Sequence, residues 1–212
     1  MTIDAVVKVG GSLIESDVLQ ALMVSLGELA LTSRIVVVPG GGPFADVVRD
    51  VCSRQDPGPS AAHWMAILAM DQHAQLLYGL TPQGRLVVDP ADIEATVALG
   101  RLAILAPFAW LRSEDPTPHG WHVTSDSLAA WVGARLGARR LVLLKSVEGA
   151  KDEGGTILPQ VRVGAPSLRG IVDEYFPQAL EPGLECWILS GHHPERLGEL
   201  LRSGRALGTR LG

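Results

Sequence analysis

Two lysines, one aspartate and three glycine-rich turns are the residues whose chemistry the rest of the chain must position. Val7-Lys8-Val9-Gly10-Gly11-Ser12 closes one apolar run, and Val38-Pro39-Gly40-Gly41-Gly42-Pro43 closes a second. Leu144-Lys145-Ser146-Val147-Glu148-Gly149 closes a third. Glycine lets backbone N–H groups approach a ligand closely and converge on it. A helix opening behind such a turn adds positive potential. Lys8 and Lys145 sit within or at the end of apolar runs, where an ammonium group is costly unless it meets an anion. The chemistry this set suits is the handling of phosphate. One Gly-Gly after a strand is ordinarily only a turn, and a strand lysine can snorkel to water. The reading rests on the combination, met at three strand ends.

Thr124-Ser125-Asp126-Ser127 opens a helix, and any of Thr124, Ser125 or Asp126 can cap it. Beside the plain cap stands a second reading, in which Asp126 lies between Lys8 and Lys145 and aims their ammonium groups at a transferring phosphoryl group. The histidine pairs His119/His122 and His192-His193 lack a third ligand at metal-type spacing, so no structural metal site is expected. His73 lies in a long apolar stretch and reads as a core or interface residue. The sequence contains no G-x-x-x-x-G-K-[ST], no H-R-D with D-F-G, and no G-x-G-x-x-G after a strand. P-loop enzymes, protein kinases and dinucleotide-binding proteins are therefore disfavoured.

The elements that hold these residues alternate in period. Short β-branched or apolar runs predict strands at 5–9, 35–38, 86–88, 102–105, 141–144 and 186–189, with a closing strand at 208–211. Helical spacing predicts helices over 17–31, 43–54, 61–78, 125–136 and 194–202, and polar or Pro/Gly-rich loops at 55–60 and 151–155. Strands alternating with helices imply an α/β fold with a mainly parallel sheet between two helical layers. In such sheets ligands bind at the carboxyl ends of the strands, the edge on which all three glycine turns fall.

A chain of 212 residues suits one domain of generous size, or two lobes sharing a sheet. Apolar residues at 47% and charged residues at 19% argue for an ordinary globular protein. The formal charge is -5, and no basic stripe alternates with aromatics, so no nucleic-acid partner is expected. Cys52 and Cys186 are far apart and read as small buried apolar residues in a reducing compartment. No apolar run approaches the ~20 residues that span a bilayer, and no leader pattern opens the chain. A cytoplasmic location without membrane contact is the expectation.

The blocks VVKVGGSL (6–13), VVVPGGGPFADVV (36–48) and TSDSLAAWVGARLGARRLVLLKSVEG (124–149) resemble the signatures of the amino acid kinase superfamily, in order along the chain. The resemblance implies a three-layer αβα sandwich over residues 1–212. About 1–120 would hold the phosphoryl acceptor, and about 121–212 would hold ATP. It implies that Lys8 contacts the transferring phosphate, that Gly10, Gly11 and Ser12 face the phosphates, and that Asp126 organises the lysines. Gly40, Gly41, Gly42 and Ser125 would cradle the acceptor, with Ser146 and Gly149 on the ATP side. Many members carry a second catalytic lysine after a Gly-Gly pair in a downstream hairpin. Here Gly154-Gly155-Thr156-Ile157-Leu158-Pro159-Gln160 has none, which leaves Lys145 or Lys151 to take over that charge.

Within the superfamily, residues 124–127, 145–149 and Ala69-Met70-Asp71-Gln72 are similar to the aminomethyl-furanmethanol phosphate kinases of methanofuran biosynthesis. That similarity implies a phosphate-monoester acceptor carrying an ammonium group, and ATP with magnesium held mainly by phosphates and water. Asp71 is then either the partner of the ammonium or an acid facing solvent or a subunit interface. The superfamily's habit of oligomerising places the weakly polar stretch 61–78, with Trp64, Met65, Leu68, Leu76 and Leu77, at an interface of a homo-oligomer. The rival readings are a kinase of uridylate, an isoprenoid phosphate or an amino acid, and a non-catalytic oxyanion store or nucleotide sensor. No histidine lies in 40–46, which counts against an isopentenyl phosphate kinase.

Overall fold

The computed structural model describes residues 2–212. Its first apolar run forms strand β1 (Ala5–Val9), buried at every position. A short 3-10 turn, Gly11–Glu15, leads to α1 (Leu19–Ala30), whose Leu19, Leu22, Met23 and Leu26 face inward. Strand β2 (Ile35–Pro39) feeds α2 (Gly42–Gln55), with Pro43 in its first turn, where a missing N–H costs nothing. Helix α3 (Pro59–Gly79) follows, again opened by proline. Strand β3 (Gly84–Val87), helix α4 (Pro90–Ala98), strand β4 (Leu102–Leu105) and helix α5 (Phe108–Glu114) come next. The second half holds α6 (Ser125–Arg135), β5 (Arg140–Lys145), β6 (Gln160–Val161), α7 (Phe176–Ala179), β7 (Glu185–Ser190), α8 (Glu195–Ser203) and β8 (Thr209–Leu211).

The described strands form one sheet in the order β3-β4-β2-β1-β5-β7-β8-β6. All neighbours run parallel except β7 and β8. Parallel strands are covered on both faces and read as continuous apolar runs, which is why the central strands are legible as strands but not as alternating patterns. One face buries Val6, Val36, Leu141, Leu143 and Ile188 against residues of α6 and the first half of α3. The other buries Val7, Val9, Val37, Val142 and Leu144 against α1 and α8. The α/β sandwich with a mainly parallel sheet is thus the observed architecture.

Several expectations need correction. Helices α4, α5 and α7 and the two-residue strand β6 were not anticipated. The start of α4 did carry a signal: Asp89 accepts from the Asp92 N–H at 2.8 Å, and Pro90 follows it. Cys52 is half-buried on α2, and only Cys186 is fully buried. Trp64 and Leu77, expected at a subunit interface, belong to the chain's own core, at 8% and 0% exposure. On the same helix Leu68 is exposed and Met65 and Leu76 are half-buried.

Candidate active site

The site is set by strand register. β1 and β5 run parallel with Lys8 beside Leu143, so Lys145, two residues on, leaves the sheet on the same face as Lys8. Helix α6 covers that face, and its second residue is Asp126. Lys145 Nζ donates to both Asp126 oxygens at 2.6 and 2.7 Å, and Lys8 Nζ lies 3.0 Å from Oδ1. Lys8 and Asp126 are almost fully buried, at 5% and 3% exposure, and Lys145 is partly so.

Charge in this environment is tightly coupled. Burial pushes the Asp126 carboxyl up, but the two ammonium groups outweigh it and hold the carboxyl below its usual range. Burial, reinforced by the charge of Lys8, pulls Lys145 down to about 8 against the pull of Asp126. With both lysines protonated the trio has one positive charge in excess, in a place where little water screens it. Such an arrangement is stabilised by an anion and suits a transferring phosphoryl group.

The glycine turns meet around this trio. A Cβ on Gly11 would lie 2.3 Å from the Cα and N of Gly42, and one on Gly40 would lie 2.8 Å from the Gly11 nitrogen. Gly42 also holds a left-handed φ of 55°. The first two turns therefore touch backbone to backbone, which only glycine permits. Gly10 is tied to the third turn's strand by its N–H donating to the Leu144 carbonyl at 2.9 Å. Ser125 Oγ stands beside the Cβ position of Gly40, at 3.3 Å. Ser12 Oγ donates to Ser146 Oγ at 3.3 Å, joining the first turn to the third. Gly11, Ser12, Gly41, Gly42 and Ser125 line a cavity of about 320 Å³ that Arg49 and Asp46 close along α2. Ser146, Gly149 and Lys151 line another, of about 370 Å³, with Ser167 and Ile171 opposite.

Most of the residues expected in the site are thus brought together. Lys145 meets Asp126, whereas Lys151 stands in the hairpin beside Ser146, paired with Ile157. Gly149, at φ 153°, leaves room for Thr209 Oγ1, which accepts from the Ala150 N–H at 2.9 Å and donates to the Leu158 carbonyl at 2.7 Å. Asp71 is the exception. It accepts from the Phe108 N–H at 3.0 Å, at the start of α5, and does not line the cavity at the glycine turns. Its carboxyl is pushed up by burial. Of the possible caps of α6, Thr124 is the one observed, with its hydroxyl 3.5 Å from the Asp126 nitrogen.

Other features were not legible beforehand. Asp173, 49 residues beyond Thr124, accepts hydrogen bonds from both Thr124 and Ser127 at the start of α6. No sequence pattern announces a partner at that distance. Arg49 continues the α2 face that begins at Gly42 and Asp46, so helical spacing offered a signal for it. Its guanidinium sits 5.0 Å over the Trp121 ring and pairs with Asp46 at 2.6 Å. His73 is more than a core residue: its Nδ1 lies 2.6 Å from the Gly40 carbonyl. A carbonyl only accepts, so Nδ1 carries the proton, and the buried Nε2 meets no hydrogen-bond partner among the described residues. Burial, against the Gly40 bond and with Lys8 adding to it, holds His73 neutral, at about 4. His119 bonds Ser60 at 2.8 Å and Asp115 at 2.7 Å and stacks on His63, fastening residues 115–124 to α3. Among the described residues no three His, Cys, Asp or Glu side chains gather to hold a metal ion, and no helix is long and apolar enough to cross a membrane.

Comparison with known proteins gives the family and the fold. The family model for the amino acid kinase family matches residues 5–164. A (5-(aminomethyl)furan-3-yl)methyl phosphate kinase of Methanocaldococcus jannaschii is 31% identical, over 97% of this chain and 96% of that protein. Among solved structures, uridylate kinase from Archaeoglobus fulgidus superposes with a TM-score of 0.77 at 17% identity, covering 99% of this chain and 100% of that one. UMP kinase from Ureaplasma parvum gives 0.73 at 12% identity, with 99% of each chain covered. At such identities the two structures speak to the fold alone.

Proposed function

Because the chain belongs to the amino acid kinase family, we propose that its Lys8–Asp126–Lys145 trio transfers the terminal phosphoryl group of ATP to a small phosphate monoester, with aminomethyl-furanmethanol phosphate as the acceptor. That the chain is a phosphotransferase follows from the family. The acceptor is inferred from the Methanocaldococcus jannaschii relative, whose similarity runs along nearly the whole chain.

A monoester dianion is already a nucleophile, so no general base is needed. One of its oxygens bonds to the terminal phosphorus of ATP as the bond from that phosphorus to ADP breaks. The obstacle is bringing two anions together, and positioning with charge neutralisation answers it. The acceptor phosphate lies at the turns of Gly11 and Gly40–Gly42 with Ser125. The nucleotide phosphates lie toward Gly10, Ser12, Ser146 and Gly149, and the trio stands between. Asp126 holds both ammonium groups in place, so that they need not reorganise as charge moves. Magnesium, held mainly by nucleotide phosphates and water, would add charge neutralisation.

The observation that carries this reading is the buried carboxylate bridging two lysines beneath three converging glycine turns. The experiment is a panel: ADP release with the aminomethyl-furan phosphate, its unphosphorylated alcohol, uridylate and isopentenyl phosphate. Fastest turnover of the first, with little for the alcohol, is the expected result. Faster turnover of uridylate or the isoprenoid phosphate overturns the acceptor assignment, and ATP binding without turnover of any favours a sensor or store. A homo-oligomer in a cytoplasmic setting remains part of the proposal. Exposed Leu68 and Tyr78 on α3, rather than Trp64 and Leu77, are the apolar residues a partner would cover.

A further inference from the structure

We propose that Asp173 is a positioning residue for phosphoryl transfer, holding the first turn of α6 so that Asp126 faces Lys8 and Lys145. The inference rests on the reading of that trio as the transfer site. A helix begins with N–H groups that lack partners inside the helix. Here the ordinary cap is weak, because the Thr124 hydroxyl lies 3.5 Å from the Asp126 nitrogen. Asp173 supplies what the cap does not. Its Oδ2 accepts from the Thr124 N–H at 3.0 Å, the Thr124 hydroxyl at 2.8 Å and the Ser127 N–H at 3.1 Å. Its Oδ1 accepts from the Ser127 hydroxyl.

Four hydrogen bonds to one ionised group are strong ones. They grip the residues on either side of the Ser125-Asp126 pair, and Ser125 lines the acceptor cavity. A slip of this turn moves Asp126 off the ammonium groups and Ser125 off the Gly40 turn together. The other end of the clamp is as informative. Ser167 and Ile171, just before Asp173 in the chain, line the cavity that holds Ser146 and Lys151. Two residues beyond Asp173, the Tyr175 N–H donates to the His122 carbonyl at 3.2 Å. The segment from 167 to 175 therefore runs from the nucleotide-side cavity to the residues that aim the trio.

The test separates positioning from stability. Asp173→Asn keeps the shape but removes the charge and turns one acceptor into a donor. We expect turnover of the aminomethyl-furan phosphate to fall by about ten- to a hundredfold, the loss met when the partners that orient metal-binding side chains are removed. The sharper readout is the alkaline limb of the pH profile of kcat/KM. The groups facing Lys145 are Lys8 on β1 and Asp126 on α6; the Cys186 thiol on β7, which burial keeps protonated, only feels its charge. If Asp126 turns away, Lys145 loses the neighbour that favours its charged form, and the limb moves to lower pH. Ser127→Ala removes one of the four bonds and should shift rate and limb the same way by less. An Asp173→Asn protein that melts earlier but keeps its turnover and limb overturns the proposal and leaves a plain helix cap. Where Asp173→Asn does not fold, an unmoved limb in Ser127→Ala overturns it, and a lowered limb supports it. Lys8→Met, run alongside, keeps the two failures apart. Normal turnover in Lys8→Met refutes the trio itself, whereas its loss beside normal Asp173→Asn and Ser127→Ala refutes only this inference.

Discussion

Lys8 and Lys145 reach the same carboxylate from adjacent strands, yet the protein does not treat them alike. Lys8 lies inside β1 and is almost fully buried, whereas Lys145 ends β5 and keeps a side-chain exposure of 14%. Lys145 is nevertheless drawn down to about 8, first by burial and then by Lys8. Its protonated form is the one that can meet a phosphate. Raising the pH through about 8 therefore removes a positive charge from the site, and kcat/KM, which reports the free enzyme, should fall above that pH. Bound nucleotide adds negative charge nearby and favours the ammonium form, so the limb in kcat should lie at higher pH than the limb in kcat/KM. Rate measurements across the alkaline range, with ATP saturating and then limiting, give both curves. Coincident limbs, or a flat profile through pH 10, would remove Lys145 from the reaction. The two lysines were visible in the bare sequence, because an ammonium group in an apolar strand is conspicuous. The choice between Lys145 and Lys151 was not, since it depends on which lysine the register of β5 on β1 turns toward α6.

Between elements, the fold's main device is contact of backbone with backbone. The turn after β1 and the turn after β2 approach so closely that Gly11 and Gly42 leave no room for a Cβ, and His73 from α3 grips the same place through the Gly40 carbonyl. Gly11→Ala should then push the turns apart. Overpacking of this kind costs about 1–3 kcal/mol of stability. The larger effect should be on catalysis, because a displacement of about 1 Å in a reacting pair can cost about a hundredfold in rate. Thermal melting beside ADP-release kinetics at a temperature where the variant is folded checks both. A variant that loses stability but keeps its kcat/KM would show that the contact supports the fold without aligning the site. The glycines themselves were readable as close backbone turns, since their type and place at strand ends need no third dimension. That they interlock was not readable, and neither were the clamps from His73 and Asp173. Asp71 shows the same limit: the resemblance offered it as the partner of an ammonium group, while packing against α5 gives it the Phe108 N–H. Local pattern reports which residue types are present, but tertiary placement decides which of them meet.

Across the whole molecule, the proposed division into an acceptor part and a nucleotide part does not coincide with a division of the core. β1 belongs to the first part and β5 to the second, yet they are neighbours at the centre of one sheet, with Val6 beside Leu141 and Val9 beside Leu144. One buried cluster joins Val36, Leu105 and Trp110 from the first part to Leu128, Leu143 and Ile188 from the second. The boundary near residue 120 is even crossed by an aromatic pair, Trp110 on α5 and Trp131 on α6, with ring centroids 5.0 Å apart. Neither part can open without exposing apolar surface of the other, so the two should unfold as one unit. Urea titration followed by far-ultraviolet circular dichroism and by tryptophan fluorescence should therefore give coincident transitions. Fluorescence is a fair probe of both parts, since Trp64 and Trp110 are buried in one and Trp187 in the other. Separate midpoints would mean that the parts are independent folding units, and the site would then be an interface between them. A single transition would mean that the trio, with Lys8 on one side of the division and Asp126 and Lys145 on the other, is held by the full stability of the sheet. Its two halves would then be fixed in register before either substrate arrives, the rigidity that charge stabilisation without reorganisation requires.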